Sequence, residues 1–348
     1  MSQFGFSPKK QKNGGQPTLT FDPFVFTVGA FAPGQAEAFA ESIEDPVKKA
    51  ICAAELAFYK GHPEQCADYS RQLKESGEMN ALIASCLIDV ISAMSLGNTD
   101  LIFEMLDKID KASPFFQNDE RLHKTVDYFL LYFSILTHNR EGLHFPEVSV
   151  NAFAVPDPLM PMAIYAYAHY LILCGDYGRA IGLAEGTLIR MRGEMPVSEI
   201  YLSIITSIGY ICRTEWDKAE YYFRHAWKLA KPDGLFMPFA EHKGMLSGMV
   251  GKCLKTEDPE AYKTISSLFH AFHKNWVFVH NSLTGDHVTD KLTGTELNVA
   301  MLASKGLTNQ EIAEFLCISV NSVRSHLRNI FNKLCIDNRK QLSEFIIK

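Results

Sequence analysis

Two helix-starting signals lie close together near the carboxyl end of the chain, within residues 292–342. Thr293 precedes Glu296 by three positions, and Thr308 precedes Glu311 by the same spacing. This spacing is typical of a capping box, in which a hydroxyl and a carboxylate satisfy each other's backbone N–H groups at a helix start. The stretch therefore predicts two short helices in close succession.

A third helix is predicted to begin at Ser319, a residue type that caps helix N-termini. Only the short break Cys317-Ile318 separates it from the second helix, so the pair predicts a helix-turn-helix. The apolar residues of the third helix recur at helical spacing and must face a core. They are Val323, Leu327, Ile330, Phe331 and Leu334.

The other side of the predicted third helix is polar and basic and has no acidic residue. It carries Asn321, Arg324, Ser325, Arg328 and Asn332. An arginine fork can donate two hydrogen bonds to guanine O6 and N7, so this face is suited to contact with a DNA major groove.

Charge is distributed unevenly along the chain. The net charge is −6, whereas residues 290–348 hold eight basic and six acidic side chains. The remaining residues are therefore strongly acidic. A basic unit at one end of an acidic body predicts modest, salt-sensitive affinity for DNA of any sequence.

The strings LT..E, KGLTNQEIAEFL, IS.NSVRSHLRNIFNKL and NR..L resemble the C-terminal DNA-binding domain of LuxR-type (GerE-type) transcriptional regulators. The resemblance implies a four-helix domain at residues 292–348 whose recognition helix, Ser319–Lys333, enters the major groove. The residues expected to contact bases are Asn321, Arg324, Ser325 and Arg328. Those expected to contact phosphates are Thr308, Asn309, His326, Asn332 and Lys333. The fourth helix is expected to form a dimer face with Leu342, Phe345 and Ile346, which implies a homodimer on double-stranded DNA.

Residues 35–280 read as a succession of helices, so the predicted fold class is all-α. Short breaks recur at the spacing of helix hairpins. They lie at Gly61-His62, Gly97-Asn98, His138–Glu141, Gly175-Asp176, Arg213–Glu215 and Glu257-Asp258. The clearest unit resembles a tetratricopeptide repeat, with Tyr210, Trp216, Ala219, Phe223 and Ala226 at the matching offsets; the unit before it agrees at Ala168, Gly175, Tyr177, Ala180 and Ala184. We therefore predict a tetratricopeptide-like stack that senses a ligand or binds a partner.

Two segments flank this predicted stack. Residues 1–34 read as an N-terminal extended arm, because Phe24, Phe26 and Val28 alternate at period two. The arm is expected to pack on the body for stability, with a self-ligand lying in a binding groove as the alternative. Residues 281–291 are predicted to form a linker to the C-terminal domain.

Other chemistries receive little support from the sequence. Gly248–Cys253 fails as a phosphate-binding loop, and no set of residues offers a nucleophile with a base, so the protein is not expected to be an enzyme. His270 and His273 share a helix face, but with no paired Cys or acid nearby we predict neither a metal site nor a cofactor. An aromatic cluster has two interpretations, packing between repeats or a ligand pocket. It comprises Tyr165, Tyr167, Tyr170, Tyr201, Tyr210, Tyr221, Tyr222 and Trp227.

The eight cysteines have no CxxC pairing and the first residues lack an apolar signal region, so we predict a cytoplasmic protein without a membrane span. Two functions follow as hypotheses. The first is a sequence-specific transcriptional regulator whose helical body responds to an unidentified small molecule, peptide or protein. The alternative is a tetratricopeptide-like scaffold whose helix-turn-helix is not used on DNA.

Overall fold

The computed structural model describes residues 23–116, 120–138, 155, 157–191, 193, 195–284, 292–316, 318–334, 336 and 338–342. Within those ranges every regular element is a helix, as the sequence predicted. The α-helices are α1 (Ala36–Glu41), α2 (Pro46–Tyr59), α3 (Pro63–Glu75), α4 (Met79–Leu96), α5 (Thr99–Phe116), α6 (Glu120–Leu136), α7 (Met160–Leu173), α8 (Tyr177–Met191), α9 (Pro196–Cys212), α10 (Trp216–Ala230), α11 (Met237–His242), α12 (Met249–Leu254), α13 (Pro259–Thr284), α14 (Gly294–Ser304), α15 (Asn309–Leu316) and α16 (Val320–Leu334). None of the described helices is long and apolar enough to span a bilayer.

Several helices end where the sequence predicted breaks. Gly61, Gly97 and Gly175 follow α2, α4 and α7, with φ angles of 89°, 72° and 81°. Glycine adopts this left-handed conformation without steric cost, so it stops a helix and lets the chain reverse. The predicted breaks at Arg213–Glu215 and Glu257-Asp258 likewise separate α9 from α10 and α12 from α13.

The body, α1 to α13, is built from helices that pack on their neighbours in the chain. Contacts join α2 to α3, α3 to α4 and α4 to α5, and then run from α7 through α8 and α9 to α10. Every residue from Pro196 to Ile211 in α9 is buried, which makes α9 the centre of the second group. The small residues Ala180, Ala184, Ala219 and Ala226 are at most 2% exposed, because alanine lets neighbouring helices approach closely.

The last body helix is longer than the sequence predicted. α13 continues to Thr284, into the residues assigned to the linker, of which 285–291 lie outside the described part. Just before those residues, two polar side chains of α13 contact the end of α6. Trp276 Nε1 donates to the Leu136 carbonyl at 2.7 Å, and His280 Nδ1 lies 2.6 Å from the Thr137 carbonyl. Trp276 and His280 thus hold this part of α13 against the carboxyl end of α6, a tertiary contact that local pattern cannot reveal.

The described part of the N-terminal arm, residues 23–34, contains turns and bends rather than the predicted extended segment. A backbone bond from Gly29 N to Phe26 O closes a turn. The ring of Phe26 is fully buried and lies 4.9 Å from the ring of Phe31. Phe24 and Phe26 also contact the body, because their ring centroids lie 6.3 Å from Tyr128 and 5.8 Å from Tyr59.

Candidate nucleic-acid interface

The three predicted helix starts of the C-terminal region are present in the structure. Thr293 N donates to Glu296 Oε2 at 2.8 Å, and Glu296 N donates to Thr293 Oγ1 at 3.3 Å, which completes the capping box of α14. Thr308 and Glu311 form the same pair of bonds at the start of α15, at 2.6 and 3.2 Å. Ser319 Oγ accepts from Ser322 N at 3.0 Å and caps α16.

The two faces of α16 separate as the sequence predicted. Val323 and Ile330 are fully buried, and Leu327 and Leu334 are at most 7% exposed. Phe331 is half-buried against the same core. This apolar side fixes the helix on α14 and α15, with which it is in contact, and determines which residues of α16 point outward.

All four residues predicted to contact bases are exposed. Asn321, Arg324, Ser325 and Arg328 lie at successive turns on the outward side of α16. An Arg324 guanidinium nitrogen lies 3.5 Å from Asn321 Oδ1, at the outer limit of a hydrogen bond. Among the residues that the structure describes, neither guanidinium makes a stronger bond than this one, so both can reach a groove.

The residues predicted to contact phosphates are more varied. Thr308 is exposed at the N-terminus of α15, where its hydroxyl already donates to Glu311 at 2.8 Å. Asn309 and His326 are half-buried. The backbone of Asn332 is helical, and its side chain lies outside the described part of the structure.

Lys333 has a structural partner that the sequence did not suggest. Its ammonium lies 2.6 Å from Oε2 of Glu296, which is 5% exposed. Burial raises the pKa of Glu296, but the bonds from Lys333 and Thr293 outweigh burial and hold that pKa below its ordinary value. The pair thus ties the start of α14 to the end of α16, and a phosphate would have to compete with Glu296 for the ammonium.

Arg339 has a structural role that its place in the string NR..L and its positive charge did not reveal. Its guanidinium donates to the Ala303 carbonyl at 3.0 Å, to the Leu307 carbonyl, and to Asn309 Oδ1 at 3.2 Å. These bonds join the loop between α14 and α15 to the chain after α16. The motif NR..L marks the position, but the carbonyl partners are visible only in the folded structure.

The predicted dimer face is described at one of its three positions. Leu342 is fully buried and packs in the domain core, next to the 3₁₀ turn Arg339–Gln341. Phe345 and Ile346 lie outside the described residues. Leu342 thus contributes to the core of its own chain.

The C-terminal domain contacts the body through α15 and the turn before it. The rings of Trp216 on α10 and Phe315 lie 4.2 Å apart. A Cβ on Gly248, which has a φ of 93°, would meet Leu316 at 2.6 Å. Lys305 Nζ lies 3.2 Å from Cys212 Sγ at the end of α9. The polar side of α16 takes no part in this contact and stays exposed.

Among the described residues, no group of three or more His, Cys, Asp or Glu side chains is arranged to hold a metal ion. The arrangement at α16 instead offers exposed guanidinium and amide donors on a rigid helix. Such groups recognise nucleic acid through hydrogen bonds and charge.

Comparison with known proteins agrees with this geometry. Residues 290–346 match the family GerE, described as bacterial regulatory proteins, luxR family. The transcriptional regulatory protein LiaR of Bacillus subtilis is 38% identical over 56 residues, which cover 16% of this chain and 26% of LiaR. The response regulator protein VraR of Staphylococcus aureus is 38% identical over 52 residues, covering 15% of this chain and 25% of VraR.

The matched segments span about a quarter of the length of LiaR and of VraR. No solved structure matches the chain. Residues 290–346 therefore form a helix-turn-helix domain of the luxR family of bacterial regulatory proteins.

Proposed function

We propose that the protein is a sequence-specific, DNA-binding transcriptional regulator. The observation that carries this proposal is the exposed polar side of α16, with Arg324 and Arg328 on a helix whose apolar side is buried in a luxR-family domain. In this proposal Ser319–Lys333 lies in the major groove. The bases are contacted by Asn321, Arg324, Ser325 and Arg328, each of which can donate or accept at a base edge.

The phosphate contacts are proposed at the edges of this surface. Thr308 and Asn309 lie at the N-terminus of α15, where the helix dipole favours an anion. The other three, His326, Asn332 and Lys333, belong to α16. On binding DNA, the ammonium of Lys333 would leave Glu296 and pair with a phosphate. Phosphate contacts of this kind set the register of a protein on DNA, and their strength falls with added salt.

Two copies are proposed to bind together on DNA. Two recognition helices on one side of a duplex enter successive major grooves, so the half-sites would be centred about one helical turn, ~10 base pairs, apart. Because Leu342 belongs to the core of its own domain, a dimer face on the fourth helix would rest mainly on Phe345 and Ile346.

The body is proposed to be a tetratricopeptide-like stack that controls the DNA-binding domain in the cytoplasm. The breaks at left-handed glycines and the buried alanines of α7 to α10 support a stack of helix pairs. An unidentified small molecule, peptide or protein bound to the body would act through the contact between Trp216 and Phe315. It must bind the docked and undocked states with unequal affinity to shift the balance between them.

Selection of bound sequences from a random DNA pool tests this proposal. The full chain is expected to enrich one sequence with two related half-sites. Binding to that selected sequence should survive moderate salt better than binding to random DNA. An Arg190→Ala variant, which changes an exposed arginine on α8 in the body, should enrich the same sequence as the wild-type chain. A folded protein that enriches no sequence and binds all DNA weakly would refute the proposal and favour a protein-binding scaffold.

A further inference from the structure

The body contains a small cavity between the N-terminal arm and six α-helices, α2, α4, α6, α7, α9 and α11. Its volume is about 30 Å³. Half of the residues in its wall are aromatic, among them Phe24 of the arm, Tyr59 of α2, Tyr132 of α6 and Tyr201 of α9. Of the aromatic cluster seen in the sequence, Tyr201 lines the cavity, whereas Tyr210 and Tyr222 donate to Glu185 elsewhere on the body.

Two carboxylates, Glu55 and Glu241, line the cavity, and the described lining contains no basic side chain. Glu55 is satisfied by the arm. Its oxygens accept from the backbone N–H groups of Val25 and Phe26, both at 2.7 Å, from Thr27 N at 3.2 Å and from the Thr27 hydroxyl.

Glu241 is different. Its Oε2 accepts a hydrogen bond from Tyr201 at 2.6 Å. Its Oε1 is inaccessible to solvent and has no hydrogen-bond partner among the described residues. Lys243, two positions after Glu241, places its ammonium over the rings of Phe269 and Tyr262, 4.8 and 5.9 Å from their centroids. It therefore does not neutralise Glu241. A buried carboxylate without a counter-ion is costly, and such groups are normally paired.

The neighbouring histidines also leave Glu241 without a positive charge. His242 Nδ1 lies 2.8 Å from the Pro238 carbonyl, and its Nε2 lies 2.8 Å from the Tyr165 hydroxyl. Burial lowers the pKa of His242 to about 4, and burial with the neighbouring His242 lowers that of His169 well below its ordinary value. Both rings are therefore neutral near pH 7.

We propose that this cavity binds the ammonium head of a small primary amine, with Glu241 as its counter-ion and the tyrosine rings as its walls. The chemistry matches on three counts. An ammonium would donate to the orphaned Oε1, its charge would compensate the carboxylate, and the faces of tyrosine rings attract cations. This inference rests on the proposed function, for which it names the class of effector and its site.

The size of the cavity limits what fits without rearrangement. A space of about 30 Å³ is roughly twice the minimum that one water needs, so it admits about two heavy atoms. A larger amine would displace Phe24, which is half-buried at the wall. The arm would then connect occupancy of the cavity to the packing of α2.

Ionisation of Glu241 makes binding depend on pH. Burial raises the pKa of Glu241 to about 7, while the Tyr201 bond acts in the opposite direction. The other titratable groups that face this region are Glu55 and Tyr59 on α2, Tyr128 and Tyr132 on α6, Tyr165 on α7, Tyr201 on α9 and His242 on α11. Burial raises the pKa of each of these tyrosines, so they stay neutral between pH 6 and 8. Since the cation needs the ionised carboxylate, affinity should fall about tenfold from pH 8 to pH 6.

Calorimetric titration of the full chain with methylammonium chloride, at constant ionic strength and without DNA, tests the proposal. We expect saturable one-site binding at pH 8, about tenfold weaker binding at pH 6, and no saturable signal with methanol, the neutral isostere. Glu241→Gln should weaken binding at least tenfold. Glu185→Gln, which changes another carboxylate held by tyrosine hydroxyls, should leave it unchanged.

Absence of saturable binding to the folded wild-type chain, equal affinity at both pH values, or full affinity in a folded Glu241→Gln variant would each overturn the proposal and leave the cavity as a site for water alone. The pH comparison needs no variant, so it stands even if Glu241→Gln fails to fold. Because DNA is absent, failure here leaves the selection experiment unaffected, and failure of that experiment leaves this one interpretable.

Discussion

The polar groups of this protein occur in two contrasting settings, the outer side of α16 and the interior of the body around Glu55 and Glu241. On α16 the polar side chains lie within a few positions of one another in the sequence, are exposed, and are supported by an apolar side that packs on α14 and α15. In the body they come from helices far apart in the chain and meet where water is excluded. The first setting permits recognition at a surface with little effect on stability, whereas in the second setting each unsatisfied group affects the fold.

The largest effect is expected at the buried end of this comparison. Glu55→Ala should lower the free energy of unfolding by about 3 kcal/mol, because it removes the acceptor of three backbone N–H groups and leaves them buried. Urea denaturation measures the change. Glu64→Ala, at an exposed glutamate on α3, is the control and should change it by less than about 0.5 kcal/mol. Equal stability of the two variants would remove the distinction between the settings.

The next effect concerns the surface. Arg328→Ala should weaken binding to the selected DNA by about 2 kcal/mol, roughly 30-fold, and binding to random DNA far less, because the guanidinium is expected to read a base. Its unfolding free energy should stay within about 0.5 kcal/mol of the wild-type value. Fluorescence anisotropy with both DNAs and urea denaturation provide the two readouts. Equal loss on selected and random DNA would contradict the role of Arg328 in sequence recognition.

A smaller effect is expected where the two regions meet. Trp216→Ala should lower the free energy of opening at α15 by about 1.5 kcal/mol, since it removes the ring packed on Phe315. Amide hydrogen exchange in Asn309–Leu316 should then accelerate about tenfold. Trp227→Ala, on the same helix but packed on Phe236 and Phe239, is the control. Unchanged exchange at α15 in the Trp216 variant would show that the body does not restrain the C-terminal domain.

The smallest effect tests whether Lys333 belongs to the fold or to the DNA surface. Lys333→Gln should cost about 1 kcal/mol of stability at pH 7, because Glu296 loses its ionic partner. The folded-state pKa of Glu296 is depressed, so this stabilisation is present above the unfolded pKa of about 4.3 and is lost as pH falls through the folded value.

Urea denaturation between pH 3 and pH 7 measures that loss, with Lys340→Gln as an exposed control. The wild-type and Lys333→Gln stabilities should converge at the acidic end. A constant difference across the range would show that the ion pair is not its cause. A reduced dependence of DNA affinity on salt in the variant would indicate that Lys333 also contacts a phosphate.

Local signals in the sequence predicted much of the C-terminal domain. The Thr-x-x-Glu pairs identified the starts of α14 and α15, and the spacing of Val323, Leu327 and Ile330 identified the buried side of α16. These predictions hold because a cap or a helix face involves residues within about four positions of one another. In the body, the helix ends predicted at glycines were confirmed for the same reason.

Predictions that depend on remote partners were incomplete. The sequence assigned residues 281–291 to a linker, but helix α13 continues to Thr284, beyond the point where His280 contacts the Thr137 carbonyl. The arm was expected to be extended, but it forms a turn between Phe26 and Gly29, and the Phe26 N–H donates to Glu55 of the body. Arg339 belongs to the string NR..L, but that string did not reveal that its guanidinium donates to the Ala303 and Leu307 carbonyls.

By itself, the sequence determined that the chain is helical, where several helices begin and end, and that a luxR-type helix presents Arg324 and Arg328 on a polar side. Those properties follow from backbone preferences and residue spacing within a few turns of helix. Only the tertiary structure decided that Glu241 lines a cavity whose described residues include no counter-ion, that Glu55 holds the arm, and that α15 docks on Trp216. Such contacts join residues tens to hundreds of positions apart, and their chemistry depends on the exclusion of water when the helices pack.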